Sequence, residues 1–108
     1  MYIAMNRFTV KLENAADFED LWLNRESHLD QMEGFVSFHM LKGHEKDGVI
    51  LYASHTTWEN EEVFRAWTRS AQFRDAHKNA GTTSKFHEGH PTFEGFNTIQ
   101  SISAVKAA

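Results

Sequence analysis

The order in which two hydrophobic periodicities follow one another is the feature that most constrains the fold of this chain. Stretches with the two-residue alternation of a half-buried strand are separated by stretches with the three-and-four spacing of an amphipathic helix. The predicted strands are Tyr2 to Val10, Phe35 to Lys42, Val49 to Thr57 and Phe93 to Ile102, and the predicted helical regions are Asn14 to Met32 and Asn60 to Ala80. Strand, helix, strand, strand, helix, strand is the ferredoxin-like order. We therefore predict one α+β domain over residues 1–108, a ferredoxin-like sandwich with an antiparallel sheet and a frayed tail at residues 103–108.

Composition excludes several classes of protein and of site. A length of 108 residues corresponds to one domain, and the absence of cysteine excludes disulfides, thiolate metal sites and cysteine nucleophiles. The net charge of −4, without a basic run, argues against a nucleic-acid partner. We see no signal peptide and no apolar stretch long enough to cross a membrane, so we expect no membrane partner and a cytoplasmic location.

Polar residues and glycines mark the predicted connections between elements. Asn14 and Asn60 are typical N-cap residues, and Glu33-Gly34 is typical of a helix C-terminus. Gly43 to Gly48 reads as a hairpin loop, and Gly81 to Pro91 reads as a longer loop. His87 and His90 fall in that longer loop without the spacing of the HExxH zinc motif, which favours a solvated loop over a metal site.

The second helical region is predicted to break near Ser70. Its apolar face begins with Val63, Phe64 and Trp67. A continuous helix would next place Ser70 and two basic residues on that face, which are costly to bury. We therefore predict that Ser70 caps a second short helix, which carries His77 one turn beyond Phe73 and ends at Asn79-Ala80-Gly81.

Apolar residues on both faces of the sheet predict a partner subunit. In the third strand, Leu51 and Ala53 point away from Ile50 and Tyr52, and both faces of the second strand are apolar as well. Helices on one face alone would leave the other face bare, which is unfavourable for a monomer. We therefore predict a homodimer.

Three residues are candidates for a functional site. Asn6 interrupts the apolar alternation of the first strand, Trp67 lies on the apolar face of its helix, and His77 lies near a helix end. Taken singly, each has an ordinary structural interpretation: an asparagine at a bulge or sheet end, a core tryptophan and a partly exposed helical histidine.

Trp67, the Ser-x-x-Phe at 70 to 73 and the pair Ala76-His77 resemble the Isd-type haem-degrading monooxygenases, small dimeric proteins of the antibiotic-biosynthesis-monooxygenase fold. That family carries an Asn on its first strand, a Trp on a late helix and a His after it, which match Asn6, Trp67 and His77. The likeness runs from Tyr2 to about Phe96. The resemblance implies a dimeric β-barrel.

The resemblance also implies a mechanism. Haem, both cofactor and substrate, would bind with His77 as the ligand of the haem iron, and an external donor, an unidentified reductase, would supply electrons. The Asn6 amide would donate a hydrogen bond to the oxygen species formed from O2, and Trp67 would press on the porphyrin and ruffle it. Ring opening would release iron and a bilin-like tetrapyrrole.

Three other functions stay open at the level of sequence. A cofactor-free monooxygenase of a quinone or polyketide shares the fold but has no need of His77 as a ligand. A haem carrier would bind haem without opening the ring. A dimeric stress-response module would do no small-molecule chemistry, and the occurrence of Asn6, Trp67 and His77 in order argues against it.

Overall fold

One antiparallel sheet organises the part of the chain that the computed structural model describes, residues 1–25, 28–70 and 88–105. The elements are, in chain order, β1 (Tyr2–Lys11), α1 (Ala15–Leu23), β2 (Phe35–Lys46), β3 (Val49–Trp58), α2 (Glu61–Thr68) and β4 (Glu88–Asn97), with 3-10 turns at Leu12–Asn14 and Leu29–Gln31. The strand order across the sheet is β2-β3-β1-β4, and neighbouring strands are antiparallel. The predicted α+β fold, a ferredoxin-like arrangement with an antiparallel sheet, is confirmed.

The two helices α1 and α2 lie on the same face of the sheet. The even-numbered residues of β1 and β3 point to this face, and Phe8 and Tyr52 lie opposite each other there, both buried. Phe18 of α1 packs on Tyr52 with 4.7 Å between ring centroids, and Phe64 of α2 packs on Tyr2 with 5.3 Å. Each helix therefore covers one end of the two central strands.

Two separate aromatic-rich clusters fill the space between the sheet and the helices. The α2 cluster consists of Tyr2, Ala4, Leu29, Trp58, Phe64 and Trp67. The α1 cluster consists of Phe8, Val10, Ala15, Phe18, Ile50 and Tyr52. Burial of side chains of this size is the main source of stability in a domain of this length. The two clusters share no residue.

The opposite face of the sheet is left uncovered by the described elements. Leu41 on β2, Leu51 on β3 and Phe96 on β4 point to it and are 45%, 42% and 48% exposed. We call this surface the open face. The prediction that both faces carry apolar side chains is confirmed, whereas a barrel closed by a second subunit stays a prediction.

Helix α1 is shorter than the sequence predicted, ending at Leu23 rather than near Met32. At the end of the helix, the backbone N–H and the side-chain amide of Asn24 both donate hydrogen bonds to the Asp20 carbonyl oxygen, at 3.1 and 2.8 Å. Leu29 and Met32 pack against the α2 cluster from the 3-10 turn and the residue after it. Their helix-like spacing reflects burial rather than a continuous helix.

The two predicted N-caps have different outcomes. The Asn60 side-chain oxygen Oδ1 accepts a hydrogen bond from the Val63 backbone N–H at 3.0 Å, as predicted. Within the described part of the chain, the Asn14 side chain makes no capping hydrogen bond to α1, because a 3-10 turn precedes the helix and gives Asn14 helical dihedral angles.

The β2–β3 hairpin is tighter than predicted. Strand β2 continues to Lys46, so the connection is the two-residue turn Asp47–Gly48 rather than the loop from Gly43 to Gly48. Asp47 and Gly48 both have positive φ, 55° and 78°, as a type I′ turn requires. The change of register between Lys42 and Glu45 is a bulge that accommodates one extra residue in β2.

Strand β4 begins and ends earlier than predicted. It spans Glu88–Asn97 instead of Phe93 to Ile102, so the last residues of the predicted Gly81 to Pro91 loop lie in a strand. The strand ends at Asn97, which pairs with Tyr2, the first residue of β1. Beyond this pair, the Thr98 N–H donates a hydrogen bond to the Met1 carbonyl oxygen at 2.8 Å. Residues 98–105 leave the sheet, and Ile99, Ile102 and Val105 are 99%, 86% and 97% exposed.

Helix α2 ends where the sequence predicted a break. Its last residue is Thr68, and the Ser70 hydroxyl donates a hydrogen bond to the Trp67 carbonyl oxygen at 2.6 Å. The predicted second short helix, with Phe73 and His77, lies outside the described residues.

Candidate functional site

Asn6 lies between the two clusters, on the face of β1 that carries the helices. Its neighbours on that face are Ala4, which belongs to the α2 cluster, and Phe8, which belongs to the α1 cluster. Asn6 belongs to neither cluster and is partly exposed. Its amide, which can both donate and accept hydrogen bonds, is therefore a polar break in an otherwise apolar layer.

A second polar side chain lies beside Asn6. In the strand register Asn6 is opposite Ser54 on β3 and Phe93 on β4, and Ser54 is opposite Met40 on β2. Ser54 is 5% exposed. We use the name interhelical cleft for the region above Asn6 and Ser54, on the helix-bearing face of the sheet where the two clusters meet.

Ser54 was not predicted as a site residue, although a signal for it exists. Ser54 and Thr56 are polar positions on the helix-bearing face of β3, as Asn6 is on that of β1, and Ser54 is the one opposite Asn6. The two interruptions coincide once the strands are aligned as an antiparallel pair.

Trp67 lies in the α2 cluster, on the same side of the sheet as Asn6. It is 9% exposed, and its ring centroid is 5.5 Å from that of Trp58 and 6.4 Å from that of Phe64. The cluster includes Ala4, the residue next to Asn6 on this face, so Trp67 and Asn6 lie on the same side of the sheet. Trp67 is thus a core tryptophan beside the cleft, held rigidly by its aromatic neighbours.

Trp22 and Phe38 join the two clusters near the β2 edge of the sheet. Trp22 of α1 packs against the α1 cluster, Phe38 of β2 packs against the α2 cluster, and their rings stack at 6.2 Å. The guanidinium carbon of Arg25 lies 4.6 Å from the centre of the Trp22 ring. Burial lowers the pKa of Arg25, yet an arginine in a protein keeps its positive charge.

At the β4 edge, the cleft is less covered. Phe93 stacks on Phe64 with 5.8 Å between ring centroids and 8° between planes, and it is 50% exposed. Because Phe93 is also opposite Asn6, an exposed aromatic surface lies beside the polar position. This is an arrangement that suits a flat apolar ligand with one polar interaction.

A polar network attaches α1 to the centre of the sheet. The Tyr52 hydroxyl donates a hydrogen bond to the Glu19 carboxylate, and the Lys42 ammonium forms an ion pair with the same carboxylate at 2.8 Å. The Lys42 ammonium and the Tyr52 hydroxyl lower the pKa of Glu19. Burial, followed by the Glu19 carboxylate, raises the pKa of Tyr52, which keeps the phenol protonated.

The third predicted site residue, His77, lies outside the described residues. Among residues 1–25, 28–70 and 88–105, no group of three or more His, Asp or Glu side chains is placed to hold a metal ion. In the same ranges, no helix has the length and apolar character needed to cross a membrane.

Comparison with known proteins places this chain in a family. The family model described as antibiotic biosynthesis monooxygenase matches residues 1–79. The chain belongs to this family. The matched region runs from β1 through α2, so it includes both Asn6 and Trp67.

Two proteins to which this chain is similar have haem or a metal porphyrin in their descriptions. The "Heme oxygenase (staphylobilin-producing)" of Staphylococcus haemolyticus is 31% identical over 90 residues, covering 78% of this chain and 80% of the relative. A crystal structure of an arginine-to-serine variant of MhuD with two manganese protoporphyrin IX molecules per active site has a TM-score of 0.74 at 21% identity, covering 96% and 100% of the two chains. The predicted resemblance to haem-degrading monooxygenases is confirmed by these similarities.

The same fold occurs in family members with other descriptions. A structure of an antibiotic biosynthesis monooxygenase from Bacillus cereus has a TM-score of 0.76 at 19% identity, covering 95% of this chain and 97% of that one. SnoaB, a cofactor-independent oxygenase from Streptomyces nogalater, has a TM-score of 0.67 at 20% identity, with the same coverage. Similarity at this identity establishes the fold and leaves the substrate to be argued from the site.

Proposed function

We propose that this protein is a haem-degrading monooxygenase, which opens the porphyrin ring with O2 and electrons from an external donor and releases iron and a bilin-like tetrapyrrole. The observation that carries the proposal is the position of the Asn6 amide between two aromatic clusters, one of which holds Trp67. The identity with the staphylococcal heme oxygenase supports it.

The described side chains fit a porphyrin. A macrocycle has two broad apolar faces, which favour contact with aromatic rings, and Phe93, Phe64 and Trp67 lie on one side of the cleft. The floor is polar at Asn6 and Ser54, where a small oxygen-bearing molecule would need hydrogen bonds.

Each described residue has a defined task in this proposal. When bound, haem supplies both the iron at which O2 is reduced and the ring that is oxidised. The Asn6 amide donates a hydrogen bond into the cleft toward the reacting oxygen. Trp67 would contact the macrocycle and distort it. Packing against Trp58 and Phe64 holds the Trp67 ring in place.

His77 is the proposed ligand of the haem iron. A neutral imidazole is the usual protein ligand of haem, and His77 follows α2 in the chain. Its assignment rests on the sequence. A reductase partner and a cytoplasmic location likewise stay predictions.

A second copy of the chain is the proposed partner for the open face. Leu41, Leu51 and Phe96 form an exposed apolar surface there, of the kind that marks protein interfaces. The segment after β4, with Ile99 and Ile102 fully or nearly fully exposed, adds apolar surface that one chain leaves uncovered. Together these surfaces favour the predicted homodimer and its dimeric β-barrel.

A titration with hemin, followed by ascorbate in air with catalase present, tests the proposed function. We expect a saturable Soret band that decays as a bilin absorbance appears, with the released iron captured by a chelator. His77→Ala should weaken hemin binding and shift the Soret band, whereas His44→Ala, in the outer part of β2, should leave both unchanged. A Soret band that persists under reductant would contradict the proposal and indicate a haem carrier.

The second candidate is a cofactor-free monooxygenase of a quinone or polyketide. The description of SnoaB as a cofactor-independent oxygenase, on the same fold, favours it as the alternative. In that case the parent protein would bind no hemin, and a small aromatic quinone would occupy the cleft with its carbonyl oxygen at Asn6. Saturable quenching of tryptophan fluorescence by the quinone, abolished in Asn6→Ala, would identify this function.

A further inference from the structure

Ser54 and Asn6 interrupt the apolar layer beneath the helices at the same level of the sheet. They are directly opposite each other in the β1–β3 ladder, and the outer positions of the same row are occupied by Met40 and Phe93. The next rows hold Phe8 opposite Tyr52 on one side and Ala4 opposite Thr56 on the other, and Thr56 is buried as well. Of these polar residues, Ser54 is the one directly opposite Asn6.

Ser54 is 5% exposed as a residue, and its hydroxyl is a short donor on the same face of the sheet as the Asn6 amide. Directly opposite residues in an antiparallel pair have Cβ atoms about 4.5–5.5 Å apart. Two short side chains at that spacing reach a common atom lying above them, in surroundings where the low dielectric strengthens each hydrogen bond.

We infer that the Ser54 hydroxyl is a second hydrogen-bonding group of the cleft floor, acting beside the Asn6 amide on the oxygen atoms of the small molecule that reacts there. This inference rests on the proposed function, because it takes O2 at haem as that molecule. Asn6 and Ser54 approach it from neighbouring strands, so they fix both its position and its orientation. Asn6 alone would fix only one direction.

The test uses carbon monoxide on the ferrous haem complex as a probe that requires no turnover. Loss of a hydrogen-bond donor near the bound carbon monoxide raises the C–O stretching frequency, which infrared spectroscopy measures directly. We expect Ser54→Ala and Asn6→Ala each to raise it, Ser54→Thr to restore the parent value, and the double variant to exceed either single variant. Ser37→Ala, which removes a hydroxyl on the open face, is the matched control and should change nothing.

The rate of haem degradation under ascorbate, followed as the decay of the Soret band, is the second measurement. Removing one hydrogen bond of ordinary strength should slow haem loss about threefold to tenfold in Ser54→Ala. The hemin affinity should stay near that of the parent.

The outcomes separate this inference from the proposed function. A parent that degrades haem while Ser54→Ala keeps its rate and C–O frequency overturns the role of Ser54 and leaves the proposed function intact. If Ser54→Ala has an effect only when Asn6 is present, Ser54 acts by orienting Asn6 and the direct contact is wrong. A parent that binds no hemin overturns both.

Discussion

Tyr52 donates its phenolic hydrogen to the Glu19 carboxylate, which joins the centre of the sheet to helix α1. Tyr52 is 1% exposed and its ring packs on Phe18 of the same helix. The polar end and the apolar body of one side chain therefore hold α1 in two ways. Since α1 carries Trp22, the network also fixes one side of the interhelical cleft.

Tyr52→Phe should lower the free energy of unfolding by about 1 kcal/mol near neutral pH, because it removes the hydrogen bond to the Glu19 carboxylate. The loss is moderate because the carboxylate keeps its ion pair with Lys42. Urea unfolding measures the difference. In a Glu19→Gln background the same substitution should cost less, since the carboxylate is gone. An equal cost in both backgrounds would show that Tyr52 acts through packing alone.

The contribution of Glu19 to the free energy of unfolding should decrease in the acid range of pH. Its folded-state pKa lies below the ordinary value of 4.5, so its stabilising contribution is complete above that value and is lost as pH falls through the lowered folded-state pKa. The stability difference between parent and Glu19→Gln should therefore be constant from pH 8 to about pH 5 and shrink below about pH 4.5. A difference that grows on acidification would contradict this sign.

Gly34→Ala should destabilise the protein more than Gly48→Ala. Both glycines have positive φ, 82° and 78°, so each substitution carries a backbone cost of about 1–2 kcal/mol. At Gly34 the new Cβ would also lie 2.5 Å from Cγ2 of Val63, whereas at Gly48 it would meet no atom within 4 Å among the described residues. Overpacking adds about 1–3 kcal/mol at Gly34 alone. Equal costs in urea unfolding would mean that Val63 moves aside freely.

Leu51→Lys should convert the expected dimer into a monomer. The charge would lie in the middle of the open face, where a second copy would have to bury it. Leu23→Lys is the matched control, because Leu23 is 82% exposed at the end of α1, away from that face. Light scattering coupled to size-exclusion chromatography measures the mass. A parent that is monomeric at micromolar concentration would contradict the predicted homodimer.

Trp67→Phe should bind hemin but degrade it slowly, because a smaller ring presses less on the macrocycle. Phe is the informative replacement. Trp67 is a core residue, and Trp67→Ala would cost about 3–5 kcal/mol of stability, which would obscure an effect on catalysis. Phe18→Leu, in the α1 cluster and fully buried, controls for the loss of aromatic core volume and should degrade hemin at the parent rate. If both variants behave alike, Trp67 has no role beyond packing.

The fold was predictable because the hydrophobic periodicity of the sequence matches the burial pattern of the strands. Strand β3 alternates cleanly, β1 does so except at Asn6, and Asn60 caps α2 as its residue type suggests. The errors arose where periodicity continued past the end of an element. Leu29 and Met32 keep a helical spacing although α1 ends at Leu23. The Asp47–Gly48 turn signal was present in the sequence but was read as part of a longer loop.

The candidate site was predictable in part. Asn6 stood out because one polar residue interrupted an apolar series, and Trp67 stood out through the family resemblance. Ser54 was missed because serine on a strand is unremarkable until its cross-strand neighbour is known. That neighbour is set by register, a property of two strands together that one strand read alone does not contain.

The division of the core into two clusters without a shared residue has a consequence for what the cleft accommodates. Each helix keeps its own set of contacts, and the two sets meet at the stacked rings of Trp22 and Phe38. A change in the width of the interhelical cleft at Asn6 should therefore rearrange few side chains in either cluster. A few substitutions along the cleft could then change which planar ligand it accepts, while the two clusters continue to determine the thermal stability of the domain.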